Sequence, residues 1–246
     1  MDNLILSEIE NNVLTITMNR FDKKNALNTI MYQKLCDAFK LAKSDSSIHC
    51  VLIQGNEHCF CAGNDLADFL EHANDEEELA AFSFVKTLAN FTKPIVAAVA
   101  GPAVGIGTTM LLHCDMVITT EDAKFKLPFS QLGLCPEAAS SVLLPLRVGH
   151  NKAFELLVLG QLFTGQQALN YGIANSSSDA EHLLSTAKQT AESIASLPAD
   201  ATQTSRKLMK QATQAQVLHA IETEGAEFAR LVKTDTCKKI LASFFN

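Results

Sequence analysis

From Pro94 to Cys114 the chain carries no Asp, Glu, Lys or Arg, a run about as long as a bilayer-crossing helix. It does not read as one continuous span. Pro102 and the glycines Gly101, Gly105 and Gly107 interrupt a helical pattern, and Thr108, Thr109 and His113 add polar atoms. A buried strand over Ile95–Ala100, a tight glycine loop and a buried helix over Gly107–His113 fit the same residues with no membrane. Such segments need a core to enclose them. A chain of 246 residues supplies one, because it buries roughly three quarters of its unfolded surface.

The rest of the chain alternates in the same way. Leu4–Ile9 and Val13–Met18 read as strands joined at Asn11-Asn12, a tight hairpin turn. Asn19–Asn28 is a polar loop. Apolar residues at Ile30, Met31, Leu35, Ala38, Phe39 and Ala42 recur at helical spacing from Thr29 to about Lys43. Cys50–Gln54 is a short apolar strand, Met116–Thr119 another, and Ala123–Lys126 a third. The acidic run Asp75–Glu78 reads as a solvated helix start, with that helix running to about Phe91.

Past Pro136 the pattern is helical: Ser140–Leu146, Lys152–Leu159, Gly165–Tyr171, Glu181–Leu197, Asp200–Gln211 and Val217–Phe244. Strands mixed with helices and then a helical tail give an α/β core with an all-helical C-terminal region. The boundary falls near residue 195, giving a core over 1–195 and a helical region over 196–246.

Charge and cysteines narrow the function classes. A net charge of -7 argues against a nucleic-acid partner, which would want a basic face, though a few local lysines can still bind a phosphorylated ligand. Seven scattered cysteines without a CxxC pair read as reduced thiols packing as small hydrophobes in a cytoplasmic protein. The absence of a transit peptide at the start and of Ser-Lys-Leu at the end agrees with that expectation. His58, Cys59, Cys61, His113 and Cys114 lack zinc-ligand spacing, so no metal site is expected. There is no GxSxG elbow and no HExxH.

Three loops carry the candidate chemistry. Phe60-Cys61-Ala62-Gly63-Asn64-Asp65-Leu66 reads either as a binding loop or as a turn in which Asn64 or Asp65 caps a helix. Gly101-Pro102-Ala103-Val104-Gly105-Ile106-Gly107 is either a structural turn or a place where free N–H groups meet an anion. It lacks the Lys-Ser/Thr of a P-loop. In Leu132-Gly133-Leu134-Cys135-Pro136-Glu137, Glu137 is the one acidic residue between Asp122 and Glu155. An apolar neighbourhood raises a carboxyl pKa and suits a proton shuttle. The same position also suits an exposed glutamate at a helix start.

Together, in order and spacing, these loops resemble the crotonase (enoyl-CoA hydratase/isomerase) superfamily. The likeness extends through Met18-Asn19-Arg20, Asn25-Ala26-Leu27-Asn28, Lys93-Pro94-Ile95, Leu162, Thr164, Ala168 and Tyr171-Gly172-Ile173. It implies a spiral of ββα turns with a C-terminal helical trimerisation region, assembled as a homotrimer or hexamer. It also implies an acyl-CoA thioester substrate, with coenzyme A part of that substrate and no separate cofactor. The backbone N–H groups of Ala62 and Ile106 would form the oxyanion hole, and Lys23, Lys24, Ala26, Asp65 and Leu66 would lie near the CoA moiety.

Hydratases of this superfamily use two glutamates. The matching positions here are Thr109 and Phe129, neither of which transfers a proton. Phe129-Ser130-Gln131-Leu132-Gly133 through Pro136-Glu137-Ala138-Ala139-Ser140-Ser141 is similar instead to the Δ3,Δ2-enoyl-CoA isomerase branch, where one glutamate at the position of Glu137 is the base. Ala138-Ala139 departs from the glycine that often follows that glutamate. Another crotonase-type reaction, such as hydration, and a non-catalytic acyl-CoA-binding role are the alternatives. Acyl-length preference is expected to lie in the region Phe69–Phe91.

Overall fold

In the computed structural model, which describes residues 3–72 and 80–243, the chain is a mixed α/β protein built on a six-stranded sheet. β1 (Ile5–Glu10) and β2 (Val13–Met18) form the expected hairpin, with β1 one residue later than the apolar pattern predicted. Asn11 and Asn12 both take positive φ, 49° and 62°, the left-handed conformation a two-residue hairpin turn requires. α1 (Thr29–Ser44) is capped by Asn28, whose side chain accepts from the Met31 N–H at 2.9 Å.

β3 (Cys50–Gln54), β4 (Ile95–Val99) and β6 (Met116–Thr119) then add in parallel register, and the two-residue β9 (Ser176–Ser177) closes the order β1-β2-β3-β4-β6-β9. These strands lack polar alternation because both sheet faces are covered. Val51, Ile53, Ile95, Ala97 and Val117 enter the main core. Cys50, Leu52, Val96, Ala98 and Ile118 pack against Leu183, Ala187 and Ala191 of α8 (Leu183–Ala195).

The uncharged run folds as β4, a short β5 (Pro102–Val104), α4 (Ile106–Thr109) and a 3-10 turn over Met110–His113. The expected helix over Gly107–His113 is therefore one α-turn that tightens into a 3-10 turn. Among the described residues no helix is long and apolar enough to cross a membrane. β5 went unpredicted because its partners lie far along the chain. It pairs with β7 (Lys124–Lys126), which in turn pairs with β8 (Phe163–Thr164), in a second sheet.

α2 (Leu66–His72) and α3 (Ala80–Ala89) flank residues 73–79, so the acidic run Asp75–Glu78 lies outside the described residues. α5 (Ser140–Val148), α6 (His150–Leu157) and α7 (Gly165–Asn170) follow the predicted helices within two residues or so at each end. The last two predicted helices are instead one continuous α9 (Ala199–Leu231), followed by α10 (Asp235–Ala242). No Gly or Pro interrupts residues 212–216, so nothing there ends the helix. The break comes at Thr234, whose hydroxyl accepts from the Cys237 N–H and caps α10. α9 is not a detached tail. Its Phe228 meets Phe69 and Phe82 edge-on at centroid distances of 5.7 and 5.8 Å, inside the main core.

Candidate active site

Backbone pairing brings the first two sequence loops together. Cys61 bridges to Ala103: its N–H donates to Pro102 O at 2.9 Å, and its carbonyl accepts from the Val104 N–H at 2.9 Å. A Cβ added at Gly107 would stand 2.5 Å from Cys61 O, so only glycine lets the start of α4 press against Cys61-Ala62. Ile106, first residue of α4, has no acceptor for its N–H among the described residues, as expected where a helix begins.

Ala62 differs from the expectation of a second free donor. Its N–H donates to Lys24 O at 2.9 Å, so a ligand oxygen reaching Ala62 must share or displace that carbonyl. Lys24 and Asn25 hold left-handed φ values of 50° and 54°. The turn is pinned by buried Asn25, which accepts from the Arg20 N–H at 2.7 Å and donates to Phe60 O at 3.0 Å.

The positions expected near a CoA moiety line this same turn and the start of α2. Lys23 and Lys24 are exposed, Ala26 and Leu66 are half-buried, and Leu27 bridges to Asn64 between them. Asp65 is occupied within the protein. It pairs with Arg20 Nη1 at 2.6 Å and accepts from the Ala67 and Asp68 N–H groups at 3.1 and 3.4 Å, which makes it the helix cap that its sequence position also allowed. Burial pushes its pKa up, but the Arg20 hydrogen bond, those N–H groups and the Arg20 charge hold it below the usual carboxylate range. Arg20 also donates to Ala26 O at 2.9 Å, tying the turn to α2.

The third loop meets α4. Glu137 is 4% exposed, not at a solvent-facing helix start, and its Oε1 accepts from the Thr109 hydroxyl at 2.5 Å. Burial pushes its pKa from the usual 4.5 up to about 8; the Thr109 hydrogen bond opposes that rise and the charge of Glu224 adds to it. Ile106 and Thr109 are three residues apart on α4, about 4.5 Å along the axis and on one face. One helical turn therefore carries both an unpaired backbone donor and the hydroxyl that holds a buried carboxyl. A group that takes up and returns a proton beside a donor for negative oxygen is the equipment for enolate chemistry.

Phe129 and Thr109 are both buried, and neither a phenyl ring nor a threonine hydroxyl serves as an ionisable acid. His113 Nε2 lies 2.8 Å from Ala138 O, and burial pushes the imidazole down to about 4, so it is a neutral donor in the core. Cys61 and Cys114 are buried thiols pushed up to about 12. Among the described residues no group of three or more His, Cys, Asp or Glu converges as a metal site requires.

Two neighbours of Glu137 were invisible in the sequence. Tyr32 has its phenol raised well above 10 by burial and then by the Glu137 charge, and its hydroxyl donates to Asn64 Oδ1. It lies on the buried face of α1, where no local pattern marks it as part of a site. Glu224, on α9, accepts from the Ala139 N–H at 2.6 Å and the Ser141 N–H at 2.9 Å. Nothing local in its polar helix distinguishes it.

Comparison with known proteins bears on the chain as a whole and points to one family. A family model described as enoyl-CoA hydratase/isomerase matches residues 8–246. The 1,2-epoxyphenylacetyl-CoA isomerase of Escherichia coli K12 is 36% identical over 205 residues, covering 80% of this chain and 78% of the relative. Enoyl-CoA delta isomerase 2 of Rattus norvegicus is 34% identical over 226 residues, covering 89% of this chain but only 57% of that longer protein. The solved structure of Pseudomonas aeruginosa OdaA is 41% identical over the full length of both chains, with a TM-score of 0.96.

Proposed function

The chain belongs to the crotonase (enoyl-CoA hydratase/isomerase) superfamily, and on that premise we propose that it is a Δ3,Δ2-enoyl-CoA isomerase of fatty-acid oxidation with Glu137 as its single base. The observation that carries the reading is the Thr109–Glu137 pair. Where the resemblance puts a hydratase's first acid, this chain has a hydroxyl that can only hold Glu137, and where it puts the second it has Phe129.

The reaction follows from one carboxylate. Ionised Glu137 removes a proton from C2 of a 3-enoyl-CoA, and the electron pair delocalises through C2–C4 and onto the thioester oxygen. The Ile106 N–H receives that oxygen, joined by the Ala62 N–H once the Lys24 carbonyl yields it. Each such donor contributes about 3 kcal/mol to lowering the barrier. Glu137 then returns the proton to C4 on the same face. The double bond lies between C2 and C3, and the base is regenerated. Hydration asks for more: one group to activate water and another to deliver a proton.

Coenzyme A enters as part of the substrate, near Lys23, Lys24, Ala26, Asp65 and Leu66, and the step uses no separate cofactor. The family resemblance supports assembly as a homotrimer or hexamer, which light scattering reads as a multiple of 26.7 kDa.

The test offers the purified protein a trans-3-enoyl-CoA and, separately, a trans-2-enoyl-CoA. Appearance of the conjugated 2-enoyl thioester, with little water added to it, is the expected result. Preferential hydration of the 2-enoyl substrate overturns the isomerase assignment. Tight binding of both with turnover of neither points to an acyl-CoA-binding role and also overturns it.

A further inference from the structure

The turn that carries Glu137 is held in a conformation its own residues disfavour. Ala138 and Ala139 both lie in the left-handed region, at φ 60° and 55°, at a cost of about 1–2 kcal/mol each for a residue with a Cβ. Ala139 is also the N-cap of α5 and offers no capping side chain. The free N–H groups at that helix start are met from a distant part of the chain. Glu224, 8% exposed on α9, takes the Ala139 N–H on Oε2 at 2.6 Å and the Ser141 N–H on Oε1 at 2.9 Å, and Ser141 Oγ donates to Oε1 as well. On the other side of Glu137, Cys135 Sγ donates to the main-chain carbonyl of Glu224 at 3.7 Å. One residue of α9 therefore grips both flanks of Glu137, and a carboxylate at a helix N-terminus also complements the partial positive charge there.

We propose that Glu224 is a positioning residue for Glu137: its carboxylate, acting as an N-cap in trans for α5, fixes the Ala138-Ala139 turn so that the Glu137 carboxyl stays against Thr109. The inference rests on reading Glu137 as the base. Charge follows position. Burial is the main reason the Glu137 carboxyl titrates at about 8, and the nearby Glu224 charge pushes in the same direction. The other titratable groups coupled to this pair are Tyr32 and Cys61, which feel Glu137, and Cys135, which feels Glu224; Thr109 faces Glu137 without a charge.

The test compares Glu224→Gln and Glu224→Asp in the full chain. The Glu137 carboxyl is followed by carbon-13 NMR through a pH titration, its resonance identified as the one missing from Glu137→Gln. In Glu224→Gln the titration is expected to move to lower pH by about half a unit, since a like charge has gone. kcat for isomerisation falls about 10- to 100-fold with KM held within about twofold, because the substrate still binds while the base is misplaced. Glu224→Asp keeps the charge and shortens the reach, so the titration stays near wild type while kcat still falls. A folded Glu224→Gln protein with an unmoved titration and unchanged kcat overturns the proposal. So does a loss in Glu224→Gln that tracks melting temperature alone and lowers kcat without moving the titration. Failure of the wild-type protein to isomerise 3-enoyl-CoA overturns the isomerase reading instead, and the NMR titration still decides whether Glu224 acts on Glu137.

Discussion

Replacing Thr109 with valine keeps the shape of a fully buried side chain and deletes the hydroxyl that donates to Glu137 Oε1 at 2.5 Å. That bond favours the charged carboxyl and works against the burial that has already pushed it up to about 8. A hydrogen bond to a charged group is worth about 1.5–3 kcal/mol. Its loss moves the carboxyl up by a further one to two pH units or so. At neutral pH about one wild-type molecule in ten carries the ionised base, and in Thr109→Val that falls to about one in a hundred to one in a thousand. Only the ionised form accepts the C2 proton, so kcat/KM at neutral pH drops about 10- to 100-fold. The two proteins converge as pH rises past the new pKa. The assay follows formation of conjugated thioester from a trans-3-enoyl-CoA across that range, with Thr109→Ser as the control that keeps the hydroxyl. A loss of the same size at every pH would refute the reasoning, because it would mean that Thr109 shapes the site without tuning Glu137.

Glu137→Gln is expected to abolish the proposed isomerisation and to change stability in a pH-dependent way. The native carboxyl binds its proton more tightly than the unfolded one, so wild type loses stability as pH rises from 4.5 through about 8. The neutral amide escapes that loss. The variant is therefore expected to be more stable above about pH 8, by up to about 5 kcal/mol, and equal to wild type near the unfolded value. Urea unfolding at an alkaline and an acidic pH reads the difference, and equal stabilities at alkaline pH would mean that the buried charge is not costly. Ile106→Pro removes the unpaired N–H at the first position of α4, where proline breaks no helical hydrogen bond. kcat is expected to fall about 100- to 1,000-fold while circular dichroism stays unchanged. Ile106→Ala, which keeps the N–H, serves as control, and an equal loss in both variants would take the oxyanion role away from that donor.

What the sequence disclosed depended on how far each interaction reaches. The buried strands were legible because burial on both faces leaves a local mark, an apolar run such as Cys50–Gln54 without polar alternation. Glu137 stood out for a similar reason, as a lone carboxylate among apolar neighbours. β5 did not stand out, since three residues carry no periodicity and their pairing partner is Lys124–Lys126. The continuity of α9 was hidden by the polar residues between 211 and 217, which weaken an apolar stripe without breaking a helix. The Lys24 carbonyl on the Ala62 N–H belongs to a contact that no local pattern encodes.

The same distinction separates the chemistry of this site from its tuning. A buried carboxyl can be read from one loop, but the pKa that makes it a usable base cannot. That value is set by burial, by Thr109 from α4 and by Glu224 from α9, three contributions that converge only in the folded chain. The C-terminal helices, to which the family resemblance assigns trimerisation, supply the carboxylate that holds the Ala138-Ala139 turn. In this fold a left-handed Ala-Ala pair beside Glu137 is tolerable because a helix more than eighty residues downstream satisfies the amides that the turn exposes. Truncating or loosening α9 would therefore reach Glu137 directly, through Ala139 and Ser141.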